Sequence, residues 1–324
     1  MVSPEFKLIA GTANLPLATE IAGQLGTKLA LVEVKKFSDG EYNVLLGESV
    51  RGKDVFIIQP TSAPVNDNFM ELALLIDAAR RASARRVIVV IPYYGYARQD
   101  RLIGRSPISA ALVASIIENA GADAIVCVDL HSSGIEGFFR VPIDNLSAIW
   151  MFAEHFKKKL GKELKNAVVV SPDVGGVKRA RNLARLLNIP LTVLDKRRPE
   201  PNASEIINVI GEVAGRTCII ADDMVDTAST LLPAVKALHA KGAKQVYACA
   251  THPVFSGRAF ENIAASGVKE LVVTNSILLR PGAPKNVTQV SLAPLLSEAI
   301  LRIHENRSVS ELFLKRTGHG QKTL

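Results

Sequence analysis

Short apolar runs alternate with stretches of helical period along most of the chain. Nine runs rich in β-branched and other apolar side chains predict buried strands: residues 7–10, 54–58, 86–91, 124–128, 167–170, 191–194, 217–221, 245–251 and 270–274. Between them, Val177, Ala180, Ala184 and Leu187 line one helix face, and Leu231, Val235 and Leu238 line another. Strands that are apolar throughout, separated by helices of this length, predict an α/β fold with mostly parallel sheets flanked by helices. Ligands of such sheets bind at the carboxyl ends of the strands, where this chain concentrates Gly, Pro and Asp.

A faint internal repeat accompanies the alternation. Gly121-Ala122 opens a strand that ends at Asp129-Leu130-His131, and Gly242-Ala243 opens one that ends at Ala250-Thr251-His252, a spacing of 121 residues at both ends. The expectation is two similar α/β domains, 1–147 and 148–315, joined near 146–165, with a disordered polar tail at 316–324. At 324 residues, two domains of ordinary size fit.

Composition narrows the partners. The chain is 48% hydrophobic and 22% charged, which is globular and excludes a disordered chain. No apolar run reaches the ~20 residues of a membrane helix, and residues 1–11 show no secretory pattern. Cys127, Cys218 and Cys249 each lie inside an apolar stretch without a CxxC, so they are expected as buried reduced thiols in a cytoplasmic protein. The formal charge is +8, and two short loops, Tyr93–Arg105 and Asp195–Arg198, each carry a net +2. Charge focused in short loops suits a compact anion better than a nucleic acid, and no helix-turn-helix or zinc module is visible.

Six segments carry candidate chemistry. In IIADDMVDTAST (219–230), a buried strand ends in Asp222-Asp223, and Asp226, Thr227, Ala228, Ser229 and Thr230 open a helix. Free N–H groups and hydroxyls at such a turn bind phosphate, and the carboxylates can accept from sugar hydroxyls or face a cation. An N-capped helix explains the Ser and Thr but not two successive Asp at a strand end. In VVVSPDVGGVKRAR (168–181), paired Gly allow amides close to an anion and Asp173 could hold Mg²⁺; an ordinary strand-turn-helix reads equally well. His131 follows a strand beside Asp129, as a ligand or a structural side chain. The loops YARQDR (96–101) and DKRRP (195–199) are solvated charge runs or clamps on a polyphosphate. FSDGEYNV (37–44) reads on its own as a β-turn at Ser38-Asp39-Gly40.

Taken in this order, the blocks FSDGE, IPYYGYARQDR, VDLH, GFF, SPD-GGV, DKRRP, YACATHPV and VVTNSI closely resemble the ribose-phosphate diphosphokinase (phosphoribosyl-diphosphate synthetase) family, from about Lys7 to about Phe313. The resemblance implies two similar domains of type I phosphoribosyltransferase fold and transfer of the diphosphoryl group of Mg-ATP to the 1-hydroxyl of ribose 5-phosphate. It implies that Phe37, Asp39, Gly40, Glu41, Arg98, Gln99 and Arg101 hold ATP, and that His131 and Asp173 meet the Mg²⁺–phosphate assembly. Lys196 and Arg198 would act on the transferring group, with Arg198 also on ribose 5-phosphate. Asp222 and Asp223 would take the ribose hydroxyls, and Asp226 through Thr230 the 5-phosphate. A homo-oligomer, commonly a hexamer in this family, is implied as well.

Three positions depart from the family pattern: Ser229 stands where DTAGT has Gly, Val174 where many relatives have His, and LIGRSPIS after Arg101 is shorter and less basic. Ser229 is expected at ordinary backbone angles with its hydroxyl toward the phosphate. The alternative is a non-catalytic regulatory relative, which would be expected to lose Lys196, Arg198, His131 or the acidic pair; all are present.

Overall fold

The computed structural model describes residues 6–197, 206–310 and 312, without the side chains of Lys196, Arg197 and Ile206. The chain divides into two units: Met1–Ser147 with Ser276–Leu278 and Ser291–Leu324, and Ala148–Asn275 with Leu279–Val290.

The first unit begins with β1 (Phe6–Ala10), a 3₁₀ turn at Thr12–Asn14 and α1 (Leu15–Gln24). A hairpin of β2 (Val32–Lys36) and β3 (Tyr42–Leu46) forms its own antiparallel sheet. There follow β4 (Asp54–Ile58), α2 (Val65–Arg81), β5 (Arg86–Ile91), α3 (Ser109–Ala120), β6 (Ala124–Val128) and β7 (Ile143–Leu146). The main sheet has the order β1-β4-β5-β6-β7, every pair parallel. Its strands DVFII and RVIVVI are apolar at nearly every position because both faces are covered. Each Val or Ile so buried contributes roughly 1.5–3 kcal/mol. α2 covers the sheet with Leu72, Leu75, Ile76 and Ala79, and α3 with Ala110, Val113, Ala114 and Ile117. α3 ends at Gly121, whose φ of +114° is open to glycine, and a Cβ there would meet Arg80 Cγ at 2.5 Å.

The second unit contains α4 (Ile149–Leu160), β8 (Ala167–Ser171), α5 (Val177–Leu187), β9 (Leu191–Arg197), β10 (Ile206–Ile210), β11 (Thr217–Val225), α6 (Leu231–Ala240), β12 (Gln245–Pro253), α7 (Ala259–Ala265), β13 (Leu271–Thr274) and β14 (Val287–Val290). The sheet order is β10-β9-β8-β11-β12-β13-β14, antiparallel between β10 and β9 and parallel elsewhere. All nine expected strands are present. β9, β11 and β12 continue past their apolar runs, because a neighbouring ladder holds polar residues extended: Asp222 pairs with Ala250 and Met224 with His252. Cys127, Cys218 and Cys249 are free and buried, as expected.

Two expectations need correction. The second domain does not run to 315. The last helix, α8 (Ala293–His304), belongs to the first unit, where it packs on α1 and His304 Nδ1 lies 2.9 Å from Asp54 Oδ2. The expected tail at 316–324 lies outside the described residues. The repeat is real in topology but shifted in phase. In each unit the first strand lies beside the strand that follows an antiparallel excursion: β1 beside β4, and β8 beside β11. A parallel partner sits on the other side, Leu29 against Leu8 and β9 against β8. The counterpart of β11 is therefore β4, not β5, and the Gly-Ala echo at a spacing of 121 matched strands of different rank. Counted from the first ladder pair of each, Thr12 stands where Asp173 stands, and Gln59 where Asp222 stands.

The first unit fills that rim with its own side chains. Glu71, fully buried on α2, accepts from Thr12 N at 2.6 Å and from Thr12 Oγ1, and Gln59 Oε1 accepts from Ala13 N at 3.1 Å.

Asp54 at the start of β4 is also fully buried. Burial alone would raise its pKa, but hydrogen bonds from Arg86, Arg85 and His304 outweigh burial and hold the carboxyl well below its ordinary range. Removing one partner of a buried ion cluster costs about 3–5 kcal/mol. Asp54→Ala should therefore lower the thermal midpoint sharply at pH 7. Because the native pKa is depressed, the contribution is complete above the ordinary value of 3.8 and is lost as pH falls. The gap between the melting curves of variant and parent should start to close below about pH 4 and narrow further as pH falls toward the depressed native value; a constant gap would show that packing, not charge, sets the loss.

Candidate functional site

The second unit gathers most of the sequence-predicted chemistry on one rim. β9, β8 and β11 are adjacent and parallel, so their carboxyl ends open on the same side of the sheet. β11 carries Asp222 and Asp223 inside the strand rather than in a turn after it. Asp222 Oδ1 accepts from Asp223 N at 2.8 Å, which folds its side chain back along the strand. Asp223 is buried; Asp222 is half-buried.

The helix expected from Asp226 starts later, with Thr230 at the N-cap and Leu231 first in α6. Residues 226–230 form a turn held from outside. Ser256 Oγ donates to Asp226 Oδ1, and Asn262 Nδ2 donates to Thr227 O at 2.8 Å. Within the turn, Thr227 Oγ1 donates to Ser229 Oγ at 3.0 Å. Ala228 is buried and has φ +55°, the left-handed region. Ser229 is exposed and avoids that region, so the hydroxyl replaces Gly without strain. Thr227, Ser229 and Thr230 are all exposed at the mouth of the turn.

Asp173 lies in the turn after β8, exposed. Its Oδ1 accepts from Gly176 N at 2.8 Å, and Ser171 Oγ donates to Asp173 O at 2.7 Å. The ordinary strand-turn-helix reading therefore describes the local geometry, and neither Gly175 nor Gly176 takes a positive φ. An exposed carboxylate oxygen is a donor that suits Mg²⁺, which takes one or two carboxylates and fills its shell with water and phosphate. Lys196 lies near the end of β9, opposite Ile207 of β10. Arg198 lies outside the described residues.

Sequence reasoning missed Arg179. It stands in the first turn of α5, where the helix dipole disfavours a cation unless an acid answers it. That misplacement was the available signal. Its Nη1 lies 3.4 Å from Asp223 Oδ1 and 3.6 Å from Asp222 Oδ1. Burial first, and then the charge of Asp223, raise the Asp222 pKa above its ordinary value; Arg179 offsets part of this. Ser256 and Asn262, which brace the turn, were also missed and carry no local sequence signal.

The first unit holds the other candidates. FSDGE is a hairpin turn, as its residues alone suggested: Phe37 N donates to Glu41 O at 2.8 Å, Glu41 N to Asp39 Oδ1 at 3.1 Å, and Gly40 has φ +98°. Phe37, Asp39, Gly40 and Glu41 are all exposed. The segment after β5 is pinned by Gly95 N on Thr61 Oγ1 at 2.6 Å, Tyr94 Oη on Ala110 O at 2.8 Å and Ser109 Oγ on Gln99 Oε1 at 2.6 Å. Arg98, Gln99 and Arg101 emerge exposed from this frame. The first turn of α2 ties both loops together. Asp67 holds Lys36 at 2.8 Å, beside the hairpin, and Asn66 accepts from Tyr96 Oη. His131 is exposed beyond the end of β6, next to β5 in the sheet. Its nitrogen is a poorer partner for Mg²⁺ than a carboxylate and suits water or phosphate oxygen around the ion.

Two family models match: the N-terminal domain of ribose phosphate pyrophosphokinase over residues 6–121, and the phosphoribosyl synthetase-associated domain over residues 195–314. The chain is 53% identical to a ribose-phosphate pyrophosphokinase of Staphylococcus saprophyticus, over 95% of its own length and 96% of the relative's. It is 52% identical to one of Bacillus caldolyticus, over 95% and 98%. Among solved structures it matches phosphoribosylpyrophosphate synthetase from Mycobacterium smegmatis with a TM-score of 0.88 and 40% identity, over 93% of this chain and 99% of that one.

The raised pKa of Asp222 makes its negative charge a cost to the fold. That cost is absent below the ordinary value of 3.8 and grows as pH rises toward the native value. Asp222→Asn should therefore melt at the same temperature as the parent near pH 4 and at a higher one at pH 8. A gain of roughly 2–4 °C would correspond to about 1 kcal/mol. An equal or lower midpoint at pH 8 would show that the carboxylate is not strained there.

Proposed function

The chain belongs to the ribose-phosphate pyrophosphokinase family and transfers the diphosphoryl group of ATP to ribose 5-phosphate, and on that premise we propose which residues carry the reaction. The observation that carries the proposal is the rim of the second sheet, where two carboxylates at a strand end precede a braced turn of exposed hydroxyls. Asp222 and Asp223 accept from the ribose hydroxyls, and residues 226–230 receive the 5-phosphate through backbone N–H groups and the hydroxyls of Thr227, Ser229 and Thr230. Phe37 stacks on adenine, Asp39 and Glu41 accept from its edge, and Arg98, Gln99 and Arg101 meet the nucleotide phosphates.

The 1-hydroxyl oxygen of ribose 5-phosphate bonds to the β-phosphorus of ATP. The bond from that phosphorus to the oxygen bridging the α-phosphate breaks, AMP leaves, and the hydroxyl proton passes to solvent. Such a transfer needs alignment and charge neutralisation more than a strong base. Lys196 and Arg198 stabilise the charge on the transferring group, and Arg198 also contacts ribose 5-phosphate. By resemblance, Asp173 would meet Mg²⁺ through its carboxylate and His131 would meet the phosphate or water oxygens of a Mg²⁺–phosphate assembly; when bound, the ion would neutralise phosphate charge.

The same reading includes action in the cytoplasm and a homo-oligomer, a hexamer by resemblance. The exposed Leu112 and Ile116, one turn apart on α3, support an assembled state. Among the described residues, no helix is long and apolar enough to cross a membrane.

The direct test is to incubate the protein with ATP, Mg²⁺ and ribose 5-phosphate and measure AMP, which should appear only with both substrates. Lys196→Ala and Arg198→Ala should each cut kcat on the order of 10²–10³-fold with little change in either KM, the pattern of a lost transition-state donor. Parent-like turnover in both would remove them from the reaction. Ser229→Gly should stay active and bind ribose 5-phosphate more weakly by about 0.5–1.5 kcal/mol, the net worth of one hydrogen bond. A sharp gain in activity would instead mean that Ser229 crowds the phosphate.

A further inference from the structure

The carboxylate pair on β11 poses a problem that its own residues do not solve. Adjacent residues of a strand point to opposite faces, so two neighbouring Asp would ordinarily diverge. Here Asp222 folds back onto the N–H of Asp223, and one guanidinium nitrogen lies within 3.6 Å of a carboxylate oxygen from each. That nitrogen belongs to Arg179, whose side chain is only 20% exposed and reaches the rim from α5, which packs on β8 and β11. Arg179 is the one residue outside the pair that touches both carboxylates in the described structure.

We propose that Arg179 is a positioning residue for ribose 5-phosphate: its guanidinium draws the Asp222 and Asp223 carboxylates onto one side of β11 and keeps them as acceptors for a vicinal diol. The proposal rests on the assignment of this pair to the sugar hydroxyls. An ionised carboxylate only accepts hydrogen bonds, whereas a protonated one also donates and presents one fewer acceptor site to a hydroxyl. Arg179 opposes, without overcoming, the burial and the Asp223 charge that raise the Asp222 pKa above its ordinary value. The other ionisable groups around the rim are Asp173 on the turn after β8, Asp226 held by Ser256, His252 opposite Met224 in the ladder, and Lys196 on β9. Both contacts are made by the same Nη1, and an ammonium on the shorter lysine stem would stop one bond short of that point.

The test compares Arg179→Met, Arg179→Lys and the double variant Asp222→Asn/Asp223→Asn in the full-length protein. Arg179→Met should raise KM for ribose 5-phosphate at least tenfold while KM for ATP stays within twofold. The acid limb of its kcat/KM profile for ribose 5-phosphate should move to higher pH by about one unit, because the pair now holds its proton more tightly. Arg179→Lys should restore the position of the limb and only part of KM, since it returns the charge on a stem one bond too short to meet both carboxylates. A merely structural role would move both KM values together and leave the limb in place, and that outcome overturns the proposal. If Arg179→Met does not fold, Arg179→Lys and its limb decide by themselves: a parent-like KM for ribose 5-phosphate would show that the guanidinium does no positioning. The double Asp variant separates the two levels of the argument. If it loses ribose 5-phosphate while Arg179→Met does not, the sugar site stands and the role of Arg179 falls. If it keeps ribose 5-phosphate binding unchanged, the sugar assignment itself falls.

Discussion

A parallel strand can be reached from its neighbour only by a crossover, and that constraint puts the carboxyl end of every strand in such a sheet on one rim. The candidate chemistry depends on it. Asp173, Lys196 and the pair Asp222-Asp223 are far apart in sequence, yet they come from β8, β9 and β11, three consecutive positions across one sheet. Likewise, Arg98, Gln99 and His131 follow β5 and β6, neighbours in the other sheet. The apolar strand cores make the rim possible, because they hold its geometry without using the polar residues at the strand ends.

At the end of β11 this arrangement sets stability against function. A carboxylate at the edge of a buried sheet, next to another carboxylate, is unfavourable while it stays ionised. The surrounding residues limit the cost without removing it: Arg179 supplies positive charge, and the Asp223 N–H satisfies one oxygen of Asp222. The next turn is braced in the same manner, with Ser256 on Asp226 and Asn262 on Thr227 holding a left-handed Ala228 in the middle. Both arrangements fix polar groups before a ligand arrives, so that less ordering remains to be done on binding.

The sequence made the sheet cores legible because burial on both faces demands unbroken apolar runs, and the five residues of β4 or β6 are visible without any other information. Elements held by a neighbour were not visible. The hairpin of β2 and β3, the edge strands β10 and β14, and the polar ends of β9, β11 and β12 depend on ladder partners rather than on their own hydrophobic pattern. The same reason hid the phase of the repeat. Gly-Ala before a strand is a local signal, whereas the rank of a strand is set by which neighbour it pairs with. The placement of α8 turned on long-range contacts, its packing on α1 and His304 with Asp54, that no local pattern announces. At the candidate site, Asp222, Asp223 and residues 226–230 were readable because their chemistry is local. Arg179 was harder to read, because Lys178 shares its place in the first turn of α5 and only the acids that Arg179 faces set it apart.

The carboxylate of Glu71 has a further consequence. In the first unit, the loop after β1 occupies the position that the Asp173 turn occupies in the second, and its Thr12 N–H and hydroxyl are donors of the type that receive an anion. Glu71 already sits there as a covalently tethered anion, delivered from the chain's own α2 and sealed from water. A phosphate approaching that loop would meet a resident negative charge and would have to evict a partner whose effective concentration is that of an intramolecular group. The two halves thus share a layout, and in the first the donors of that loop are already committed to a side chain of the chain itself.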